Sequence, residues 1–385
     1  MTKHLFVNQL RQETTVPPII IRKIYNDIIQ HELTGDVYDN TTDYIGEITL
    51  AAPTYKEWAD KVHESFPDLI INSLYYMLFQ DSNVESIMSN WLLSKGVGDG
   101  VGITYDDAKN NLIVSLPSFK NNTSIEYFNE LQHFLKITTI NNSCFENCTN
   151  LKEINLSNIT NLGNYEFKND TSLEKVVLGN ISTISDTCFY GCRLLENVIN
   201  GENITTVNSG AFNGCSSLET IDLSNCTSIG NNAFQGCSGL QTITLNNNIT
   251  ELPQSVFQSC GSINIDVSNI TKFNRYCLSS CTLESITLNN NITELGQDAL
   301  HGITVNSEVV IPASVTVLGS NVFNSFRPKH IKFLSSVPAT TDGDAFYGFA
   351  TQSGGKIRVP AGSLETYKNA VGWERIKNNT NWEEY

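Results

Sequence analysis

The chain has 385 residues, with 24 Lys and Arg against 40 Asp and Glu and a formal net charge of −16. That acidity excludes binding to a phosphate backbone, or to an anionic membrane surface, by general electrostatics. Charged residues are only 17% of the total; polarity is carried instead by Ser, Thr and about 45 Asn, far above ordinary usage, on a chain long enough for two or three domains.

Met1 to Gln9 has no apolar core and no small-residue cleavage site, so no secretory leader is expected unless one was removed ahead of this numbering. Ile20, Ile21, Ile24, Ile28 and Ile29 recur at helical spacing behind Pro17 and Pro18. The polar stretch 34–52, with Asp36, Asp39 and Asp43, reads as loop or short strands. Two more helices are predicted over Tyr55 to Phe66 and Leu69 to Phe79, and a fourth over Val84 to Leu93, carrying Trp91. The most apolar run, Phe66 to Phe79, is broken by Asp68 and Asn72 and is too short to span a bilayer, so no membrane insertion is expected. Residues 1–95 are thus expected to be a small, mainly helical domain for anchoring or oligomerisation. Residues 96–140 follow as a linker and N-terminal cap. Gly96, Gly98, Gly100 and Gly102 alternate without a P-loop Lys, the mark of a flexible linker rather than a phosphate cradle. Thr104 to Ala108 and Ile125 to Leu135 are predicted to be short amphipathic helices covering the first repeat.

From there the chain repeats. Phe145, Cys148, Leu151, Ile154 and Leu156 mark one unit; Phe212, Cys215, Leu218, Ile221 and Leu223 another; Phe234, Cys237, Leu240, Ile243 and Leu245 a third. The anchor position runs Phe145, Phe167, Phe189, Phe212, Phe234, Phe257, Leu278, Leu300, Phe323, Phe346, with a step of about 22 residues. In each unit the last apolar pair alternates with polar residues, as in a strand with one buried face. One such unit cannot bury its own face, so neighbours must stack.

This pattern, from Thr138 to Pro360, resembles the BspA-like leucine-rich-repeat family, and Lys356 to Ser363 followed by Leu364, Tyr367 and Trp373 is similar to that family's C-terminal cap. The implied fold class is α+β: a solenoid of about ten rungs of 22–23 residues, with parallel β-structure on one face, behind the helical N-terminal domain. The repeats would occupy 141–360 and the cap 361–385. Gly102 to Ala108, with Phe119 to Phe134, is similar to what precedes such repeats in virion proteins of gut Bacteroides phages. That resemblance implies a virion component assembled in the host cytoplasm, joined to other virion proteins through residues 1–95. The alternative is a bacterial cell-surface adhesin, and a homo-oligomer is possible in either case.

Cys148, Cys192, Cys215, Cys237, Cys260 and Cys281 share one repeat position, with Asp170 standing there in the second unit; Cys144, Cys188 and Cys277 sit just before the anchor, where other units have Ala211, Ala233 and Ala299. They read as small buried hydrophobes rather than disulfides or metal ligands, because structural zinc needs four converging ligands. Asn-x-Ser/Thr triplets at Asn180, Asn203, Asn248, Asn269 and Asn291 fall in repeat turns, where Asn tolerates left-handed backbone. None of the six His lies in an H-E-x-x-H motif, and no nucleophile elbow occurs, so the sequence predicts no enzyme, cofactor or metal.

What remains is a surface. Period-two alternation places Glu153, Asn155, Thr220, Asp222, Thr242, Thr244, Asn264, Asp266, Ser285 and Thr287 on the solvent side of the strands, followed by His330, Lys332, Lys356 and Arg358. Residues 141–300 carry 6 basic and 15 acidic side chains, net −9, whereas 301–385 carry 8 and 7, net +1. The expectation is a mildly acidic face, rich in hydroxyl and amide groups and turning basic at its end, that displays a binding site for a host surface protein or glycan.

Overall fold

The computed structural model describes Met77 and residues 79–98, 103–379 and 381–385. The helices expected over Ile20 to Ile29, over Tyr55 to Phe66 and over nearly all of Leu69 to Phe79 lie outside the described residues, as does the polar stretch 34–52. The chain divides into two compact units, Met1–Pro117 with Tyr127–Lys136, and Ser118–Glu126 with Ile137–Tyr385.

In the first unit the expected fourth helix is present as α1, Ser82–Ser94. Asp81 caps it by accepting from Asn83 N at 2.8 Å, and Glu85 sits in the first turn, where the helix dipole favours an acid. Val84, Met88 and Leu92, four residues apart, form its buried stripe. α2, Tyr105–Ala108, is a single turn. Thr104 N donates to Asp107 Oδ2 at 2.8 Å while Asp107 N donates back to Thr104 Oγ1 at 3.0 Å, a reciprocal cap. Over Ile125 to Leu135 the only helix described is the 3-10 turn Asn129–His133. The buried residues Phe128, Leu131 and Phe134 are three apart, the period of a 3-10 helix rather than of an amphipathic α-helix.

The second unit is a stack of rungs that run through two sets of parallel β-ladders and a column of anchor side chains. The outward strands are β1 (Glu153–Leu156), β2 (Lys175–Leu178), β3 (Asn197–Ile199), β4 (Thr220–Leu223), β5 (Thr242–Leu245), β6 (Asn264–Ile265), β7 (Thr304–Ile311), β8 (Arg327–Phe333), β9 (Ile357–Val359) and β10 (Trp382–Glu384). All pair in parallel. The inward column runs Ile154, Val176, Val198, then Ile221, Ile243, Ile265, and finally Val309, Ile331, Ile357, Trp382. A second ladder of two-residue strands, from Thr139–Ile140 to Thr340–Thr341, pairs in parallel on another face.

The anchor rings form the core. Phe119, Phe145, Phe167, Phe189, Phe212, Phe234 and Phe257 stack one on the next at 5.0 to 5.6 Å with interplanar angles of 4° to 17°. Leu278 and Leu300 interrupt the column, which resumes with Phe323 and Phe346 at 5.3 Å. Phe119 is a rung the repeat step does not announce, because it precedes Phe145 by more residues than the later spacing.

All ten cysteines are buried free thiols. They do more than fill space: in six rungs Sγ donates to the carbonyl of the preceding rung's anchor residue at 3.0 to 3.1 Å. The asparagines also have work beyond left-handed turns. Asn158, Asn225 and Asn289 each donate a side-chain N–H to a main-chain carbonyl of the rung before, at 2.6 to 2.9 Å. The C-terminal cap closes the stack with α3, Leu364–Lys368, and with Tyr367 and Trp373 fully buried. The final strand, β10, is one rung further than the repeat pattern predicts.

Candidate binding face

The outward ladder is broken twice. After β3 the chain inserts the 3-10 turn Gly201–Asn203, entered through Asn200 at φ 64°. After β6 the cause is spacing. Cys215 and Cys237 precede Ile221 and Ile243 by six residues, but Cys260 and Cys281 precede Ile265 and Ile286 by five. With one residue fewer, hydrogen bonding moves towards the cysteines: Cys281–Leu283 pairs with Gly261–Ser262 on one side and with Thr304 and Val305 on the other. Among the described residues, β6 pairs only with β5, and Thr287 makes only an isolated bridge to Val310.

Each of the fourteen face residues sits on an outward position, but they differ in what they are free to do. At the start of the face, Glu153 is taken by Lys175 at 2.6 Å, and Asn155 Oδ1 accepts from Ser157 N at 3.0 Å. At the far end much of the expected basic patch is engaged from within. Arg358 donates to Glu308 at 2.7 Å and to Glu383 at 3.0 Å, Lys332 Nζ lies 3.8 Å from the centre of the Tyr385 ring, and His330 Nδ1 accepts from Lys356 N at 3.1 Å. These four residues are half-buried. The middle is different. Thr220, Asp222, Thr242, Thr244, Asn264, Asp266, Ser285 and Thr287 are all exposed. Asp222 and Asp266 each accept from the backbone N–H two residues on, at 2.8 Å, and these bonds hold both carboxyls below their ordinary range, so they stay ionised.

At the second break the middle of the face is concave. A groove of about 370 Å³ is lined by Thr242, Thr244, Asn264 and Asp266 together with Asn246 and Asn269, over an apolar floor of Ile249 and Ile270. Sequence reasoning found the first four, with Asn246 next in the same alternation, and missed Asn269, which lies in a turn that alternation does not assign to a face. It also missed Ile199, an apolar residue 40% exposed at the outward end of β3. Among the described residues no group of three or more His, Cys, Asp or Glu is placed to hold a metal ion, and no helix is long and apolar enough to cross a membrane.

Stacked parallel rungs with this periodicity define a leucine-rich-repeat solenoid. The family described as "BspA type Leucine rich repeat region (6 copies)" matches residues 111–192, 160–269 and 227–352, well over half of the chain, and the chain belongs to that family. Among solved structures, a leucine-rich repeat protein from Bacteroides ovatus is similar at 21% identity and a TM-score of 0.47, over 58% of this chain and 66% of that one. A leucine rich cell surface protein from Faecalibacterium prausnitzii matches at 18% identity and 0.30, over 62% and 86%. A leucine-rich repeat protein from Eubacterium ventriosum matches at 16% and 0.34, over 55% and 68%. No curated protein matches the sequence.

Proposed function

We propose that the chain is a non-enzymatic adhesion protein that binds a host surface protein or glycan on the middle of its outward sheet, and that residues 1–95 fasten it to a phage particle. The observation that carries the binding reading is the contrast along the face. Its two ends are half-buried, with Glu153 and Arg358 held in ion pairs, whereas Thr242, Thr244, Asn264 and Asp266 are exposed and line a groove, Asp266 keeping its charge while it caps the Ser268 turn. Short hydroxyl and amide side chains lose little rotamer freedom on binding. Membership of a repeat family whose rungs build extended concave surfaces agrees with this use. The placement on a particle rests on the resemblance of residues 102–134 alone.

The test is binding of the full chain to host cells and to immobilised surface proteins and glycans, comparing wild type with Thr244→Arg/Asp266→Arg and with the end-of-face control Lys332→Ala. The groove variant is expected to lose at least tenfold in affinity while the control stays near wild type. Equal binding by all three refutes the groove. Mass spectrometry of purified virions tests the particle separately, and absence of the chain there refutes that half.

A further inference from the structure

Strand register sets the acids of the face in one row. Thr244 of β5 pairs with Asp222 of β4, and the register that joins Thr242 to Asn264 and Ile243 to Ile265 brings Asp266 of β6 to the other side of Thr244. With strands about 4.8 Å apart, the two aspartates stand about 10 Å apart across one hydroxyl group. The row beside them, Thr220, Thr242 and Asn264, is neutral. All six residues are exposed. Each aspartate accepts through Oδ1 from a backbone N–H, of Ser224 or Ser268, at 2.8 Å, which holds its carboxyl in the row.

The middle of the chain supplies no counter-charge. Between Arg193 and Lys272 it carries Glu196, Glu202, Glu219, Asp222, Glu251 and Asp266 and no Lys, Arg or His, a net charge of −6. Lys272 itself is paired with Glu251 on the other ladder, at 2.8 Å. Outside this stretch acids and bases meet across rungs, as Glu153 does with Lys175 and Glu308 with Arg358. A run of like charge adds self-repulsion to the fold, and its field draws cations in from solution while turning anions away. The groove adds a second requirement. Its floor is Ile249 and Ile270, and no aromatic ring and no cation lines it. Such a floor suits the aliphatic stem of Lys or Arg, which lies on apolar surface while its charge stays at a polar rim. An amino sugar has no stem, because its ammonium group is attached directly to the ring.

We propose that the groove takes a basic segment of a partner protein, whose Lys or Arg side chains lay their stems over Ile249 and Ile270 and bring their charges to Asp222 and Asp266. This ligand class rests on the groove being the binding site of the face, and narrows its occupant from any surface protein or glycan to a cationic peptide chain. The unopposed acids around the groove steer that partner in and reject acidic proteins and sialylated or sulfated glycans.

The test is fluorescence anisotropy with the full chain and three labelled probes: a peptide of alternating Lys and Ser, its Glu and Ser counterpart, and a fully deacetylated chitosan oligomer. The Lys peptide should bind, severalfold more weakly at about 500 mM salt than at about 50 mM, and the Glu peptide should not. Asp222→Asn/Asp266→Asn should weaken the Lys peptide by about fivefold or more, since two exposed ion pairs are lost. Glu251→Gln/Glu294→Gln takes the same two charges from the other ladder and should change binding by less than about twofold. Equal losses in the two double variants overturn the proposal, because net charge alone is then being read. A Lys peptide that does not bind, or a chitosan oligomer bound more tightly than the peptide, overturns it as well. Host-cell binding separates this failure from that of the groove. Binding lost in Thr244→Arg/Asp266→Arg but kept in Asp222→Asn/Asp266→Asn overturns the basic partner and keeps the groove, whereas binding kept in both refutes the groove itself.

Discussion

Replacing Phe189 by leucine tests whether the aromatic column stabilises the rungs by ring-to-ring contact or only by filling space. Phe189 is fully buried between Phe167 at 5.3 Å and 4° and Phe212 at 5.3 Å and 14°. Truncating such a ring to alanine costs about 3–5 kcal/mol through lost transfer energy and a cavity. Leucine keeps most of the apolar volume but forfeits two stacked contacts of about 0.5–1.5 kcal/mol each, so Phe189→Leu should cost roughly 2 kcal/mol. The discriminating measurement is a double-mutant cycle of Phe189→Leu and Phe212→Leu, followed by far-UV circular dichroism in urea. The coupling should be about 0.5–1.5 kcal/mol with an unchanged denaturant slope. A coupling below about 0.3 kcal/mol, within ordinary additivity, refutes the idea that the stack matters beyond its volume.

Burial holds the thiols up, Cys237 to about 12 and Cys281 to about 11, so a thiol reagent at pH 8 should label fewer than one cysteine per native chain within minutes and all ten after unfolding; rapid native labelling contradicts the thiol ladder. Gly230→Ala would place a Cβ 2.5 Å from Ser209 N in the adjoining rung, and should cost about 1–3 kcal/mol in urea melts. Gly354→Ala, which meets nothing but has φ +72°, should cost only about 1 kcal/mol; equal costs would show that close approach between rungs is not the constraint. Arg358→Ala removes contacts to Glu308 and Glu383 at a site one-third exposed, and should cost no more than about 1 kcal/mol, less in high salt. A larger, salt-independent loss contradicts that assignment.

The solenoid was legible because its signal is redundant. The step from Phe145 to Phe346 repeats in every unit, and alternation in Thr220 to Leu223 alone assigns Ile221 and Leu223 inward and Thr220 and Asp222 outward, as observed. Legibility failed where a residue takes its role from another rung. Nothing local says that Arg358 reaches Glu308, fifty residues earlier, or that Tyr385 covers Lys332. The groove follows from a one-residue shortening after Cys260 and Cys281, visible in the numbering but meaningful only once strand pairing is known. Phe119 escaped because its spacing breaks the step, and the 3-10 turn at Asn129–His133 because a period of three was read as a helical stripe.

One set of cross-ties between rungs, made by side chains, has a direction. Thr160, Thr205, Thr227, Thr271 and Thr316 each give their hydroxyl proton to a carbonyl of the rung before, and the six thiols and the turn asparagines do likewise. Every completed rung therefore leaves acceptors for these side chains, and its anchor segment leaves backbone N–H donors, as Phe167 N to Cys188 O and Phe189 N to Ala211 O show, waiting for the next. As the chain leaves the ribosome, each new unit finds a template already in place, like a monomer adding to the live end of a polymer. Such growth needs a terminator, and the cap supplies one. Tyr385 OH donates to Phe333 O, Tyr367 OH to Ser335 O and Trp373 Nε1 to Ala339 O, at 2.9 to 3.1 Å. Large aromatic side chains end the array by shielding its last face while their single polar atoms quench its last open carbonyls. Loss of the final residues would leave a rod primed to accept another strand.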